Sequence, residues 1–372
     1  MAKGLAIIYD PHNLYQFFWY YCTYGLDKKW DALCLPNGFK GQYMDSYCEK
    51  SGIFENTFSD DKDFLAVSLG QQLKIFLQMF GYAIIGQQKR FCRKFLNNYV
   101  NIDEYDEINV MTDVGLVSGL AVGLSSQKKV VITEDGVGDY EVRKYKNVFS
   151  DFFTLHTWKG VFLSLMGYSN IGHVFPLRTT KNCIKYSSHP EKMNYTKYYS
   201  HHKLYDFSQT DSVLFENIIK KTYDDINKYD LDSYDAILFT EPLEDYFVKP
   251  DHSYKLIEDY ISNNTKRVLI KKHPREKWNY TFSNDVQVDV FDQSIPAEVL
   301  IPYLKNKHLI FTPSSSVMLY LDSDINNVSC LYLSKAFTQE QTPTILGFYP
   351  TKENLLENLK RYGIEKYRII EI

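Results

Sequence analysis

The chain has 372 residues, of which 44% are hydrophobic and 24% charged, and it carries a net charge of −4. That length exceeds one ordinary core and calls for two α/β domains of roughly 150 to 200 residues each; the slight negative charge argues against a nucleic-acid binder, whose affinity rests mainly on neutralising phosphates, and leaves room for a local basic groove. The 31 Tyr and 24 Phe are scattered among Asn, Lys and Asp, so they read first as compositional bias, with a few rings left to stack on sugar faces.

Short β-branched apolar runs alternate with segments of helical period, the pattern of parallel sheets with crossover helices. The N-terminal stretch MAKGLAIIYDPHNLYQFFWYY predicts a strand over 5–9, and Asp10 and Pro11 interrupt its apolar run too soon for a signal or a membrane anchor. Strands follow over 32–35, 108–112 and 130–133, with a helix over 64–79 and a small-residue helix over 116–124. Beyond Tyr186 the periodicity lapses. Residues 187–207 are polar and rich in Tyr, His and Lys, and they read as the crossover between a domain of residues 1–186 and one of 208–372.

The second alternating series runs helix 213–223, strand 236–240, helix 254–261, strand 267–271, helix 297–304, strand 309–312, helix 315–321 and strand 329–333. It closes on a helix over 352–362. No other run of about 18 apolar residues occurs. The six cysteines (Cys22, Cys34, Cys48, Cys92, Cys183, Cys330) are scattered, without CxxC or metal-ligand spacing. These features lead us to expect a cytoplasmic chain in a reducing compartment, peripheral at most to the inner face of a membrane.

Two open α/β domains present a cleft lined by the carboxyl ends of two sheets, and ligands bind at such strand ends. Four segments stand there. Thr133-Glu134-Asp135-Gly136 follows the strand over 130–133; it is either an Asp-Gly turn or a carboxylate placed to take a proton from an attacking hydroxyl. Lys271-Lys272-His273-Pro274-Arg275 follows the strand over 267–271. Pro274 biases His273 towards an extended backbone, and the flanking cations suit an anionic ligand beside an imidazole, whereas the second His-Pro, His189-Pro190, lacks a preceding strand.

Ile295-Pro296-Ala297-Glu298 opens a helix with an acid in its first turn, which either complements the helix dipole or accepts hydrogen bonds from a ribose diol. Thr312-Pro313-Ser314-Ser315-Ser316 joins a strand to a helix; its hydroxyls and free backbone N–H groups form a phosphate cradle or a plain N-cap. The sequence carries no dinucleotide glycine fingerprint, GxxxxGK[ST], HExxH or GxSxG, which disfavours NAD enzymes, nucleoside triphosphatases, zinc proteases and serine hydrolases.

In their order, Glu134-Asp135-Gly136, His273-Pro274 and Ser315-Ser316 resemble the motifs of bacterial sialyltransferases with the GT-B fold, the capsular polysialyltransferases and lipooligosaccharide sialyltransferases among them. The resemblance implies an α/β chain of two Rossmann-like domains facing a central cleft, the N-terminal one binding acceptor and the C-terminal one binding donor. It implies an inverting transfer of sialic acid from CMP-sialic acid to a glycan, without a metal or other cofactor. Glu134 would be the general base, with Asp135 as the alternative if the turn is built differently, and Gly136 completing the motif. His273, followed by Pro274, would protonate or hydrogen-bond the CMP phosphate. Ser315 and Ser316 would grip that phosphate, Ser314 replacing one of them in another register, and Glu298 would hold the ribose.

The run over 181–203, with Lys185, Lys192, Lys197 and Lys203 and the single acid Glu191, is either a solvated linker or a track for an anionic acceptor. The residues leave open another CMP-activated ulosonic acid as donor, such as Kdo or legionaminic acid. A non-catalytic scaffold of a capsule assembly complex would need neither the acid nor the histidine.

Overall fold

A computed structural model of the chain describes residues 2–35, 42–60, 69–110, 116–134, 180–187, 199–204, 209–245, 250–283, 285–304, 307–312, 316–321, 327–333, 353, 356–357, 360 and 367–372. They divide into two units, the first reaching Asp224 and the second starting at Asp225.

The first unit contains β1 (Lys3–Ile8), α1 (Pro11–Tyr20), β2 (Lys29–Cys34), α2 (Gln42–Ser51), β3 (Phe54–Ser59), α3 (Leu69–Ile84) and α4 (Gln88–Leu96). It continues with β4 (Glu107–Val110), α5 (Leu116–Val122), β5 (Lys129–Ile132), β6 (Thr180–Ser187), β7 (Tyr199–Leu204) and α6 (Ser212–Thr222). Its seven strands pair in parallel in the order β3-β2-β1-β4-β5-β6-β7. The central strands β1, β2, β4 and β5 are buried almost throughout, as strands covered on both faces must be. Leu5, Ile108, Val130 and Ile132 meet Phe76, Met79, Phe91 and Leu120 of the covering helices in one core. Each such side chain contributes about 1.5–3 kcal/mol by leaving water.

Two local features fix this sheet. Asp10 caps α1 by accepting from the Asn13 backbone N–H at 2.8 Å, with Pro11 beginning the helix. The fully buried Trp30 donates from Nε1 to the Gly25 carbonyl at 2.9 Å and lies so close over Gly4 that a Cβ there would stand 2.5 Å from the indole. Charges near the amino ends of the strands are paired. Lys3 reaches Asp31 at 2.8 Å, Lys129 reaches Glu107 at 2.7 Å, and the Tyr20 hydroxyl also donates to Glu107.

The second unit contains β8 (Ala236–Phe239), α7 (Pro250–Asn264), β9 (Arg267–Lys271), β10 (Gln287–Phe291), β11 (His308–Phe311), β12 (Val328–Tyr332) and β13 (Tyr367–Glu371). These strands are also parallel, in the order β10-β9-β8-β11-β12-β13. Phe239 and Phe311 stack across the β8–β11 pair with ring centroids 4.8 Å apart.

The structure departs from the sequence reading in several places. Of the expected linker 187–207, residues 199–204 form β7, which pairs with β6 at the edge of the first sheet; its polar, lysine-bearing sequence is what an edge strand carries. Residues 208–224 go with the first unit, because Phe215 meets Tyr15 of α1 edge-on at 5.5 Å and Tyr223 meets Tyr47 of α2 at 5.0 Å. The expected helix over 64–79 is α3, displaced towards the C-terminus, with 61–68 outside the described residues.

The expected helices over 297–304 and 315–321 are 3-10 turns, Ala297–Tyr303 and Ser316–Tyr320. In the first, Pro302 removes an N–H and Pro296 fixes the entry, so a full α-helical ladder cannot form. Most of the closing helix over 352–362 lies outside the described residues. All six cysteines are free and buried. Among the described residues, no helix is long and apolar enough to cross a membrane.

Candidate active site

In the first sheet the strand order reverses between β1 and β4, and in the second between β8 and β11. An open parallel sheet leaves a crevice outside the carboxyl ends at such a point, because the connections depart to opposite faces. Both expected catalytic residues stand at carboxyl ends one strand away from a reversal: Glu134 after β5, beside β4, and His273 near the end of β9, beside β8.

The Thr133 N–H donates to the Val110 carbonyl at 2.9 Å, so pairing runs one residue past β5 before the chain reaches Glu134. Both residues are buried, Glu134 completely. Lys185, opposite Ile132 on β6, is only 1% exposed and sends its ammonium to the Thr133 carbonyl at 3.1 Å. It therefore does not belong to an exposed acceptor track. It is a cation built into the sheet beside the strand end that leads to Glu134, its desolvation offset by coordination to the backbone. Lys203 stands on β7. Asp135, Gly136, Lys192 and Lys197 lie outside the described residues.

In the second unit, β8 and β11 are each extended by a threonine. Thr240 N–H donates to the Lys271 carbonyl at 3.1 Å, and Thr312 N–H to the Phe239 carbonyl at 3.0 Å. Beyond Thr312, Ser314 and Ser315 lie outside the described residues, and Ser316 opens a 3-10 turn. At the end of β9, the partly buried His273 is held by three hydrogen bonds. Its carbonyl accepts from Gln293 Nε2 at 3.0 Å and from the Glu276 N–H at 2.9 Å, and its Nδ1 accepts from the Arg275 N–H at 3.2 Å. Pro274 sits within that turn.

With Nδ1 occupied as an acceptor, the neutral ring carries its proton on Nε2. Burial, then the Arg275 and Lys271 charges, pull the imidazole down to about 3. The ring is therefore neutral near pH 7, and its free Nε2–H is a hydrogen-bond donor.

Three buried charges brace this loop. Lys271, 3% exposed, donates to the carbonyls of Lys272 at 3.2 Å and of Asp292 and Gln293 at 3.3 Å, tying the ends of β9 and β10 together. Burial pulls its ammonium down to about 8, against the Glu298, Asp292 and Glu276 carboxylates. Glu298 is 2% exposed and so does more than complement a helix end in solvent. Glu276, 3% exposed, accepts from the Thr240 hydroxyl. Burial pushes its carboxyl up to about 7, although the Thr240 and Tyr280 hydroxyls and the Lys272 charge favour ionisation.

Sequence reasoning missed Glu276, Gln293 and the buried state of Lys271. Within KKHPRE, Lys271 and Glu276 look like members of a solvated charge run, and no local pattern marks which of them turn inward. Thr240 stands at the end of the expected strand over 236–240, and its sequence carries no sign of the role.

Residues 87–333, about two thirds of the chain, match the family model described as alpha-2,8-polysialyltransferase (POLYST). No curated protein matches in sequence. Among solved structures, the chain is similar to an alpha/beta-galactoside alpha-2,3-sialyltransferase from the luminous marine bacterium Photobacterium phosphoreum, with a TM-score of 0.52 and 10% identity over 99% of this chain and 98% of that one. It is also similar to MnaA of S. aureus in complex with UDP, with a TM-score of 0.50 and 13% identity over 99% of this chain and 92% of that one. At such identities these are likenesses of fold.

Proposed function

The chain belongs to the alpha-2,8-polysialyltransferase family and is a glycosyltransferase of the sialyl-transferring kind with the GT-B fold; from that premise we propose that it moves sialic acid from CMP-sialic acid to an anionic, sialic-acid-terminated glycan, with inversion and without a metal. The observation that carries the residue assignment is the state of His273. Its Nδ1 is committed to the Arg275 N–H and its ring is neutral, which leaves a fixed Nε2–H donor at a strand end beside the reversal point of the second sheet.

In this mechanism an acceptor hydroxyl oxygen forms a bond to the anomeric carbon of sialic acid while the bond from that carbon to the CMP phosphate oxygen breaks. The electron pair leaves with the phosphate. The hydroxyl proton passes to the Glu134 carboxylate, and His273 Nε2–H hydrogen-bonds the departing phosphate. The anomeric carbon develops oxocarbenium character, so a preorganised donor aimed at the leaving group lowers the barrier where charge grows. Ser315 and Ser316 hold the same phosphate, with Ser314 in place of one of them if the register differs, and Glu298 holds the ribose. One in-line displacement converts the β-linked donor into an α-linked product. Peripheral attachment to a membrane belongs to the same reading.

The test is transfer from CMP-sialic acid to oligosialic and lactose-terminated acceptors with EDTA present, products being read by mass. A ladder of products that survives EDTA and collapses in Glu134→Gln supports the proposal. No product and no CMP release with any acceptor sinks it. Preferential turnover of a different CMP-activated ulosonic acid would reassign the donor.

A further inference from the structure

α3 is apolar on two faces. Phe76 and Met79, with Ile75 and Ala83 beside them, pack into the core of the first unit. On the other side Leu73, Leu77, Phe80 and Ile84 are 58%, 62%, 47% and 69% exposed, and Ile85, just past the helix, is 62% exposed. Steps of four, three and four residues align the four helical positions in one stripe. Singly exposed apolar residues are ordinary, but a contiguous row of large ones marks an interaction surface. Gly70 and Gly81 flank the stripe, and a Cβ at either would meet nothing within 4 Å.

The charge along α3 and α4 in the sequence has one sign. Between Asp63 and Asp103 the sequence contains no acid and five cations, Lys74, Lys89, Arg90, Arg93 and Lys94, in a chain whose net charge is −4. Lys74 lies on α3, and Lys89, Arg90 and Lys94 are exposed on α4, which packs against it. Arg93 is tied to Asp103 at 3.0 Å. α3 has 16 residues, about 24 Å of helix, too short for a hydrocarbon core of roughly 30 Å but suited to lying in the interface.

We propose that this face of the first unit docks on an anionic phospholipid bilayer, the α3 stripe entering the boundary between headgroups and acyl chains while Lys74, Lys89, Arg90 and Lys94 meet lipid phosphates. The proposal rests on the reading of peripheral attachment and is independent of the donor chemistry. A bilayer supplies hydrocarbon for the stripe and fixed negative charge for the cations of α3 and the adjoining α4 at the same time.

The test is co-sedimentation of the full chain with phosphatidylglycerol vesicles, with phosphatidylcholine vesicles as the neutral comparison. Wild-type protein is expected to bind the anionic vesicles and to release as salt rises. Leu77→Asp combined with Phe80→Asp should weaken binding at least about tenfold, and Lys89→Ala and Arg90→Ala about fivefold each. All four side chains are already exposed, so thermal melts and transfer to a soluble acceptor should match the wild type. If wild-type protein ignores anionic vesicles, both the peripheral reading and this surface fail. If it binds and the α3 variants bind equally well, peripheral attachment stands and this surface is wrong. If lipid-free sedimentation shows a dimer that Leu77→Asp dissolves, the stripe belongs to a second copy of the chain and the proposal is overturned.

Discussion

Replacing His273 separates two roles that are easily confused, the donation of a proton and the donation of a hydrogen bond. Burial and the Arg275 and Lys271 charges hold the imidazole at about 3, so roughly one ring in ten thousand is protonated near pH 7. A neighbouring phosphate anion restores about 1–3 units, which still leaves the neutral form in the majority. A general-acid role would first have to populate the rare imidazolium, whereas Nε2–H of the neutral ring is available at once. Losing one preorganised donor to a developing negative charge costs about 10²–10³ in kcat.

His273→Ala should lose that factor, and His273→Gln, which offers an amide N–H, should recover part of it. The assay is CMP release and product mass across about pH 5.5–8.5, spanning the ordinary imidazole range, in wild type, both His273 variants and Glu276→Gln. The last variant removes one of the two other groups of this loop that titrate in that range, the second being the Lys271 ammonium at about 8. We expect no loss of kcat/KM on raising the pH that can be traced to His273. A kcat/KM that climbs as pH falls in wild type and Glu276→Gln, but not in His273→Gln, would mean that the imidazolium is the working form and would refute the reasoning.

Three further outcomes are expected. Glu134→Gln should lower kcat about 10²–10⁴-fold while CMP binding, followed by calorimetry, stays near the wild-type value. Glu276 takes up a proton more readily in the folded state, at about 7 against 4.5, so its contribution to stability is complete below the lower value and is lost as pH rises through the upper one. Chemical denaturation should therefore show Glu276→Gln gaining on wild type between about pH 5 and pH 8, by up to ~3 kcal/mol. Gly4→Ala should destabilise the first unit by about 1–3 kcal/mol, towards the upper end, because the new Cβ meets a fully buried indole already anchored on the Gly25 carbonyl. An unchanged denaturation midpoint there would mean that the indole moves freely.

The central strands were legible because they sit under helices on both faces, and a run such as Ala236–Phe239 or Val130 to Ile132 can satisfy that burial only by being apolar throughout. The same readability brought Glu134 and His273 to carboxyl ends, since a strand's end is visible in its sequence. Edge strands were not legible. β3, with FENTFS, has no fully buried position and β10, with QVDVF, has only Phe291, so both resemble loops in sequence. Nor was the true partner of α6, whose aromatic residues settle on rings of α1 and α2 far away in the chain.

By itself, then, the sequence determined the alternation of strand and helix, the presence of two sheets, and which residues leave the ends of the inner strands. Those properties follow from local backbone and side-chain rules acting over a few residues. Only the tertiary structure decided which charges are buried. Lys185, Lys271 and Glu276 read as ordinary surface residues, and each is inside because strands distant in sequence supply the carbonyls or hydroxyls that make up for lost water. The protonation states of the candidate site, including the neutral His273, depend on that burial.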